Sequence, residues 1–451
     1  IWADQTEWVL ARIRVWLVGR DEPQDYGLPL ALAWEEKNDG DEMLRPLWPY
    51  ALARVRIRAR MGLLYDAFAD ERFSQGLMKM MARNARIPLG NGWLKFSATR
   101  AFHELAGDLP EMLPVKRLAL DSSNTTIAIG NRMLLKGYRR LQSGISPELE
   151  MGRFLTEAAF ANAAPLAGAL EYEDEEDGTV IALAILQGFV ANQGDAWTYT
   201  LDYLKRFFDD CLQSQLSEPA TAEAEEASIH GIYLLFATTL GRRTGELHRA
   251  LAQTTGNPAF DPEPITVADK TRWLDQIREE VEMTFERLQQ ALDRLPEAVR
   301  DLAKRVLDAQ IGLPRAGRYA SLAAQVLEAR GAAAARSAQV EALTPQAMKT
   351  RYHGDYHLGQ VLVAKDDVII IDFEGEPARS LEERRGKHSP LRDVVGMLRS
   401  FNYAAHAALR QVTADGASDQ ATLLSHAHEW EQQTRTAFLA GYTEAAGDSP
   451  G

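Results

Sequence analysis

The stretch Tyr352-His353-Gly354-Asp355-Tyr356-His357-Leu358-Gly359-Gln360, followed by Val368-Ile369-Ile370-Ile371-Asp372-Phe373-Glu374, holds the densest chemistry in the chain. It sets a carboxylate, Asp355, in a loop and an amide, Gln360, five residues later. A second carboxylate, Asp372, stands at the end of an apolar, strand-like run. Phosphoryl transfer from ATP needs such a set. One carboxylate orients an attacking hydroxyl and takes its proton, while other oxygens ligate Mg²⁺ between the phosphates. His353 and His357 flank Asp355, but no third His or Cys lies close by and the glycines mark a loop, so zinc is set aside. His353 reads better as a residue that fixes the loop through hydrogen bonds.

The order Asp-x4-amide, strand, Asp-Phe parallels a kinase catalytic loop and its metal-binding Asp. Gln360 stands where Asn is usual, and Asp372-Phe373-Glu374 lacks the Gly of the protein-kinase motif. Upstream, Lys136 ends the apolar run Met133-Leu134-Leu135, where a lysine would reach the α- and β-phosphates. Glu150 lies on the following helix and can pair with it, with Glu148 and Glu157 as competitors for that role. No G-x-G-x-x-G loop is present. The segment Asp121-Ser122-Ser123-Asn124-Thr125 joins two strands instead, and its backbone N–H groups and hydroxyls suit a phosphate.

These residues need a scaffold. Lys116–Asp121, Thr126–Gly130 and Met133–Tyr138 read as short strands, and Ser146-Pro147-Glu148 opens a helix with a cap, proline and early carboxylates. Leu166–Glu171 and Val180–Gln187 complete an antiparallel lobe, joined by the acidic turn Glu173–Gly178. Before it, residues 1–90 read as a small α+β unit of three strands and one helix, with no motif of its own. After residue 195 the pattern is mainly helical. Trp273, Ile277, Val281, Phe285, Leu288 and Leu292 form one stripe that predicts a core-facing helix. Leu216–Ser228 and Ala329–Ser337 read as solvated connections or helix ends. Two short strands return at Gln360–Val363 and Val368–Asp372.

The 451 residues carry a net charge of −14, which disfavours sequence-independent nucleic-acid binding, and no apolar run is long enough to span a membrane. A single Cys211 excludes a disulfide framework and fits a reducing, cytoplasmic setting; it reads as a small buried hydrophobe. The chain opens at Ile1 without a signal sequence, which reads as a fragment or a chain missing its first residues.

The run from Ile369 through Pro377 to Phe401, with Arg379, Arg384, Arg385, Lys387 and Arg392-Asp393-Val394-Val395-Gly396, resembles the bacterial maltokinase family. So do His353–Gln360, Ser123-Asn124-Thr125, Lys136, Leu240–His248, Leu28–Trp34 and Gly62–Phe68, so the likeness covers nearly the whole chain. It implies an α+β, bilobal protein-kinase-like fold of the aminoglycoside phosphotransferase type, with an extra N-terminal cap and a mainly helical C-lobe. The divisions would be a cap at 1–90, a nucleotide-binding lobe at 91–194 and a catalytic lobe at 195–451.

It further implies ATP- and Mg²⁺-dependent phosphorylation of the anomeric hydroxyl of maltose, giving α-maltose 1-phosphate for trehalose-to-glycogen synthesis. Fusion to trehalose synthase is a further implication. By matching position Asp355 is the base, and Gln360 and Asp372 are the magnesium ligands. Lys136 and Glu150 handle phosphate, and Gln187, Gly188, Phe189 and Val190 meet adenine. Glu374 and Glu376 flank the metal. Sugar contacts would come from His353, Arg399, Tyr403, Trp430 and Tyr442, each of which equally suits a core or bracing position. The alternative within this fold is a kinase for another sugar, glucosamine especially, which should present carboxylates to the substrate amine. A non-catalytic module beside trehalose synthase is disfavoured by the intact Lys136, Asp355, Gln360 and Asp372.

Overall fold

A computed structural model describes residues 8–19, 22–35, 44–107, 113–118, 124–214, 230–311, 347–413 and 420–447. Leu216–Ser228, Ala329–Ser337 and Ser123 lie outside them. One compact unit comprises residues 1–253 with 351–449, and another comprises 254–350.

The first unit begins with β1 (Trp8–Val15), β2 (Gln24–Trp34), β3 (Ala51–Ile57) and β4 (Arg60–Asp66). Next come α1 (Glu71–Ala82), β5 (Arg86–Leu89), β6 (Gly92–Ala98) and α2 (Ala101–Ala106). β7 (Val115–Leu118), β8 (Thr125–Ile129) and β9 (Met133–Gly137) come next, followed by the two-residue β10 (Arg140–Leu141). Then follow α3 (Pro147–Glu157), β11 (Leu166–Asp174), β12 (Val180–Gly188), α4 (Ala196–Ser214) and α5 (Gly231–Leu251).

The second unit holds β13 (Glu263–Pro264), α6 (Val267–Ala291), α7 (Glu297–Ile311) and β14 (Met348–Lys349). The chain then returns to the first unit with β15 (Val361–Ala364), β16 (Asp367–Ile370), α8 (Leu381–Arg385), α9 (Leu391–Thr413) and α10 (Gln420–Ala446).

Two antiparallel sheets make the amino-terminal part. One runs β1-β2-β4-β3 with β10 added to β2; the other runs β5-β6-β11-β12-β9-β8-β7. Trp8, Tyr65, Phe68 and Phe73 belong to the same apolar core as Ile127, Leu135 and Leu183, so the sheets share one interior. The first 90 residues therefore contain more strands than the alternation suggested. The β3–β4 hairpin escaped notice because its turn is Arg58-Ala59, with Arg58 at φ 56, rather than a Gly or Asn pair.

The α6 stripe does not face a core. Ile277 is 55% exposed, and among the described side chains of that helix only Asp269 and Lys270 at its start are buried. In the first unit, α5 and α10 cross so closely that a Cβ on Gly241 or Gly441 would strike the other helix's backbone. α9 buries Val394, Met397, Phe401, Ala404, Ala405 and Ala408, a stripe of helical period. Among the described residues no helix is long and apolar enough to cross a membrane.

Candidate active site

β9 carries Lys136 into a carboxylate cluster. Its Nζ lies 2.9 Å from Glu148 Oε2, 3.0 Å from Asp372 Oδ1 and 2.6 Å from Glu374 Oε1. Burial opposes the ammonium charge, but the carboxylates of Glu148 and Asp372 outweigh it and hold the lysine pKa well above its ordinary value. Glu148, which also accepts from Tyr138 Oη at 2.5 Å, is pushed up to about 7 by burial, against the pull of Lys136. For Asp372 burial acts the same way, but Lys136 reverses it and keeps the carboxylate below its usual range.

Lys136 therefore pairs with Glu148, not with Glu150. Ser146 caps α3 and Pro147 occupies its first turn, which sets Glu148 on the β9 side. Two residues on, Glu150 has turned about 200° around the axis. It receives Arg351 at 2.7 Å and Arg385 at 2.8 and 2.9 Å instead. Glu157 is exposed at the end of the helix.

The catalytic-loop candidates are held from behind. Asp393 on α9 is 2% exposed and accepts the backbone N–H of His353 at 2.7 Å and of Gly354 at 3.0 Å. Its Oδ2 also meets His248 Nε2 at 3.1 Å, and His248 Nδ1 meets Tyr442 Oη at 3.1 Å. Burial would raise the Asp393 pKa, but the His248 contact and the two N–H donors bring it below the usual range. His353 reaches the Ile371 carbonyl at 2.9 Å and is 2% exposed, so it braces the loop and offers no face to a substrate. Gly354 takes φ 87 and the facing Gly375 φ 72; a Cβ on Gly354 would press on Gly375.

Asp355 is half-buried beside this brace. Its carboxyl is raised by desolvation, partly opposed by His357 and His353 and reinforced by Glu376 and Asp372. A raised carboxylate at a hydroxyl-binding position is a better proton acceptor. Gln360 Nε2 donates to Asp372 Oδ2 at 3.0 Å. Asp372 itself sits at φ 65, a left-handed conformation unfavourable for a residue with a Cβ and retained where function needs it. It lies beyond β16, in a loop rather than at a strand end.

The donor set suits a divalent cation. Ligand oxygens of Glu148, Asp372 and Glu374 all lie within 4.8 Å of one another. One ammonium cannot balance three carboxylates, and Glu374 and Asp372 add to the burial that raises Glu148. Hard oxygen donors of this kind fit Mg²⁺.

The remaining expectations divide. Asn124 lines a cavity beside Tyr138 and Glu374. Thr125 does not cradle phosphate through its hydroxyl, because it is buried in β8 and accepts from Arg139 Nε at 2.8 Å. At the end of β12, Gly188 N donates to Pro165 O and Phe189 N to Arg132 O, each at 2.8 Å. Val190 O accepts from Asn192 Nδ2, and Gln187 is half-buried in the strand. The Phe189–Gly194 segment is anchored at its far end, where Gln193 N meets Val363 O at 2.8 Å.

Arg399 and Tyr403 form an exposed pair on α9 at 2.5 Å. Trp430 and Tyr442 belong inside. Trp430 is fully buried against Tyr233 and Phe401, and Tyr442 is committed to His248. Their spacing on α10 serves its packing on α5, not a sugar platform. Glu148, Glu374, Asp393 and His248 are the functional residues the sequence left unassigned or misassigned. The signal for the last two was a pair of polar residues on otherwise apolar helical faces.

Residues 230–427, which contain the Asp355 loop, Asp372 and Asp393, match the model of the APH phosphotransferase enzyme family. The fold is the α+β protein-kinase-like one expected from the sequence. The chain is 21% identical over 327 residues to a glucosamine kinase of Mycolicibacterium smegmatis, covering 72% of this chain and 66% of that protein. It is 24% identical over 294 residues to a glucosamine kinase of Streptacidiphilus jiangxiensis, covering 63% of this chain and 53% of that one. The chain thus spans just under two thirds and about half the length of these relatives. A solved glucosamine kinase in complex with glucosamine, ADP and inorganic phosphate superposes with a TM-score of 0.57 at 18% identity. That match covers 98% of this chain and 84% of the other. None of these three is a maltokinase.

Proposed function

We propose that the protein transfers the γ-phosphoryl group of ATP to a hydroxyl of an aminosugar of the glucosamine type. The observation that carries phosphoryl transfer is the meeting of Lys136 with Asp372 at 3.0 Å across 236 residues of sequence, beside a half-buried Asp355. Lys136 would hold the α- and β-phosphates, and Glu148 would keep its ammonium in place. Asp355 would orient the sugar hydroxyl and take its proton as the oxygen attacks the γ-phosphorus and the bond to ADP breaks. Asp372, Gln360 and Glu374 are the residues that would hold Mg²⁺, which when bound neutralises charge on the phosphates.

Two features support an aminosugar over maltose. The Glu376 carboxylate, which receives Arg379 at 2.6 Å, lies close enough to Asp355 to raise its pKa, and such an acidic group suits a substrate ammonium. Of the aromatic positions expected to serve a disaccharide, Trp430 and Tyr442 are in the core and Tyr403 alone is exposed. The relatives named above agree with this choice. An ADP-release screen with glucosamine, glucose, maltose, trehalose and an aminoglycoside tests it. The highest kcat/KM is expected for glucosamine. A clear preference for maltose overturns the aminosugar assignment, and no sugar-dependent turnover with any of them overturns the kinase assignment.

A further inference from the structure

The cavity beside Tyr138 and Glu374, of about 170 Å³, opens between the β9–α3 connection and α8, lined by Asn124, Arg140, Gln142, Ser146 and Arg384 among others. It is several times the share of one water, about 30 Å³, yet below the roughly 300–1,000 Å³ of pockets that hold nucleotide-sized ligands.

Its wall is cationic in a chain whose net charge is −14. Arg384 is 9% exposed. It donates from one terminal nitrogen to Gln142 Oε1 at 2.7 Å and from the other to the Glu374 carbonyl at 3.3 Å. Its Nε is sealed from solvent and has no partner. Among the described residues neither Arg384 nor Arg140 has a carboxylate within ion-pair distance. The Glu374 carboxylate at the rim is held by Lys136 at 2.6 Å. The first turn of α3, capped by Ser146, adds the positive end of an 11-residue helix. Glu374 is the nearby negative charge, but a buried guanidinium with no carboxylate in direct ion-pair contact is costly, and a second one nearby adds to the cost.

We infer that this cavity is a binding site for a tetrahedral oxyanion, held by Arg140, Arg384 and the start of α3. Its size and donors fit a phosphate group, whether free or carried on a small phosphorylated sugar. Because α8 also presents Arg385 to Glu150, an anion here would tie α8 to α3 from a second side.

Titration of the full chain with inorganic phosphate, by calorimetry and thermal unfolding without nucleotide or sugar, tests the site independently of the kinase assignment. One saturable phosphate is expected, weakened roughly tenfold or more in Arg140→Gln, the loss that one charge-assisted hydrogen bond implies. Arg384→Gln should do the same; since its partners are structural, the exposed Arg140 variant is the deciding one. Binding should persist with a non-hydrolysable ATP analogue present. No saturable binding, affinity unchanged in Arg140→Gln, or displacement by the analogue would each overturn the inference. In a parallel arm, glucose 6-phosphate binding more tightly than phosphate identifies a carried phosphoryl group as the occupant. Equal or weaker binding identifies the free anion.

Discussion

Glu148 and Glu150 stand two residues apart on α3, yet one receives Lys136 at 2.9 Å and the other receives Arg351 at 2.7 Å. One helix thus anchors Lys136 on one side and the start of the Asp355 loop on the other. The two substitutions should separate. Glu148→Gln leaves a hydrogen-bonding group but removes the charge facing Lys136, so kcat should fall roughly tenfold or more with folding preserved. Glu150→Gln removes the carboxylate that Arg351 and Arg385 share and should cost about 3–5 kcal/mol of stability in denaturant titration. Reversed outcomes would exchange the two roles.

Asp355→Asn should lower kcat by about 10²–10⁴-fold while ATP-analogue affinity changes little, since the residue serves the acceptor hydroxyl. Single-turnover rates and nucleotide titration on the same preparation check this. Near-normal turnover would remove Asp355 from the mechanism.

Asp372→Ala should abolish activity at every practical magnesium concentration. Gln360→Ala should be milder and partly restored by excess metal, because a neutral amide contributes less to a cation than a carboxylate does. Activity measured across a magnesium series distinguishes them, and equal losses insensitive to the metal would mean structural roles.

Asp393 titrates below its unfolded value of about 3.9, so its contribution to stability is present above that pH and fades as pH falls towards the folded pKa. The stability gap between wild type and Asp393→Asn should be widest near neutrality and shrink below about pH 4. Urea midpoints at several pH values read the gap directly. A pH-independent difference would show that the carboxylate charge is not what holds the loop.

The nucleotide-lobe strands were legible because their apolar alternation is local, and α3 because Ser146-Pro147 is a local signal. The Asp355–Gln360–Asp372 order was legible because loop chemistry leaves a linear spacing. What escaped depends on contacts distant in sequence. Whether Glu148 or Glu150 meets Lys136 is fixed by how α3 is rotated against β9, which helical periodicity does not state. His248, Asp393 and Tyr442 come from three helices, and only packing shows that they converge. Trp430 and Tyr442 looked suitable for sugar because aromatic side chains serve cores and ligand platforms with the same composition. Selectivity between an aminosugar and a disaccharide has no linear signature at all, since it would reside in the shape of an acceptor pocket.

The connection between β9 and α3 has a mechanical meaning. Arg140 and Leu141 pair with Tyr26 and Asp25 of β2, and Gly27 N donates to Arg139 O at 2.8 Å. Gly137, next to Lys136, has no room for a Cβ because the Phe68 ring presses on it. Asp66 of β4 reaches both Arg117, at 3.0 Å, and Arg139. The amino-terminal sheet is therefore a splint laid along the segment that joins Lys136 to Glu148. Removing it would not trim an accessory from a finished catalyst; it would leave the distance between those two residues without a ruler.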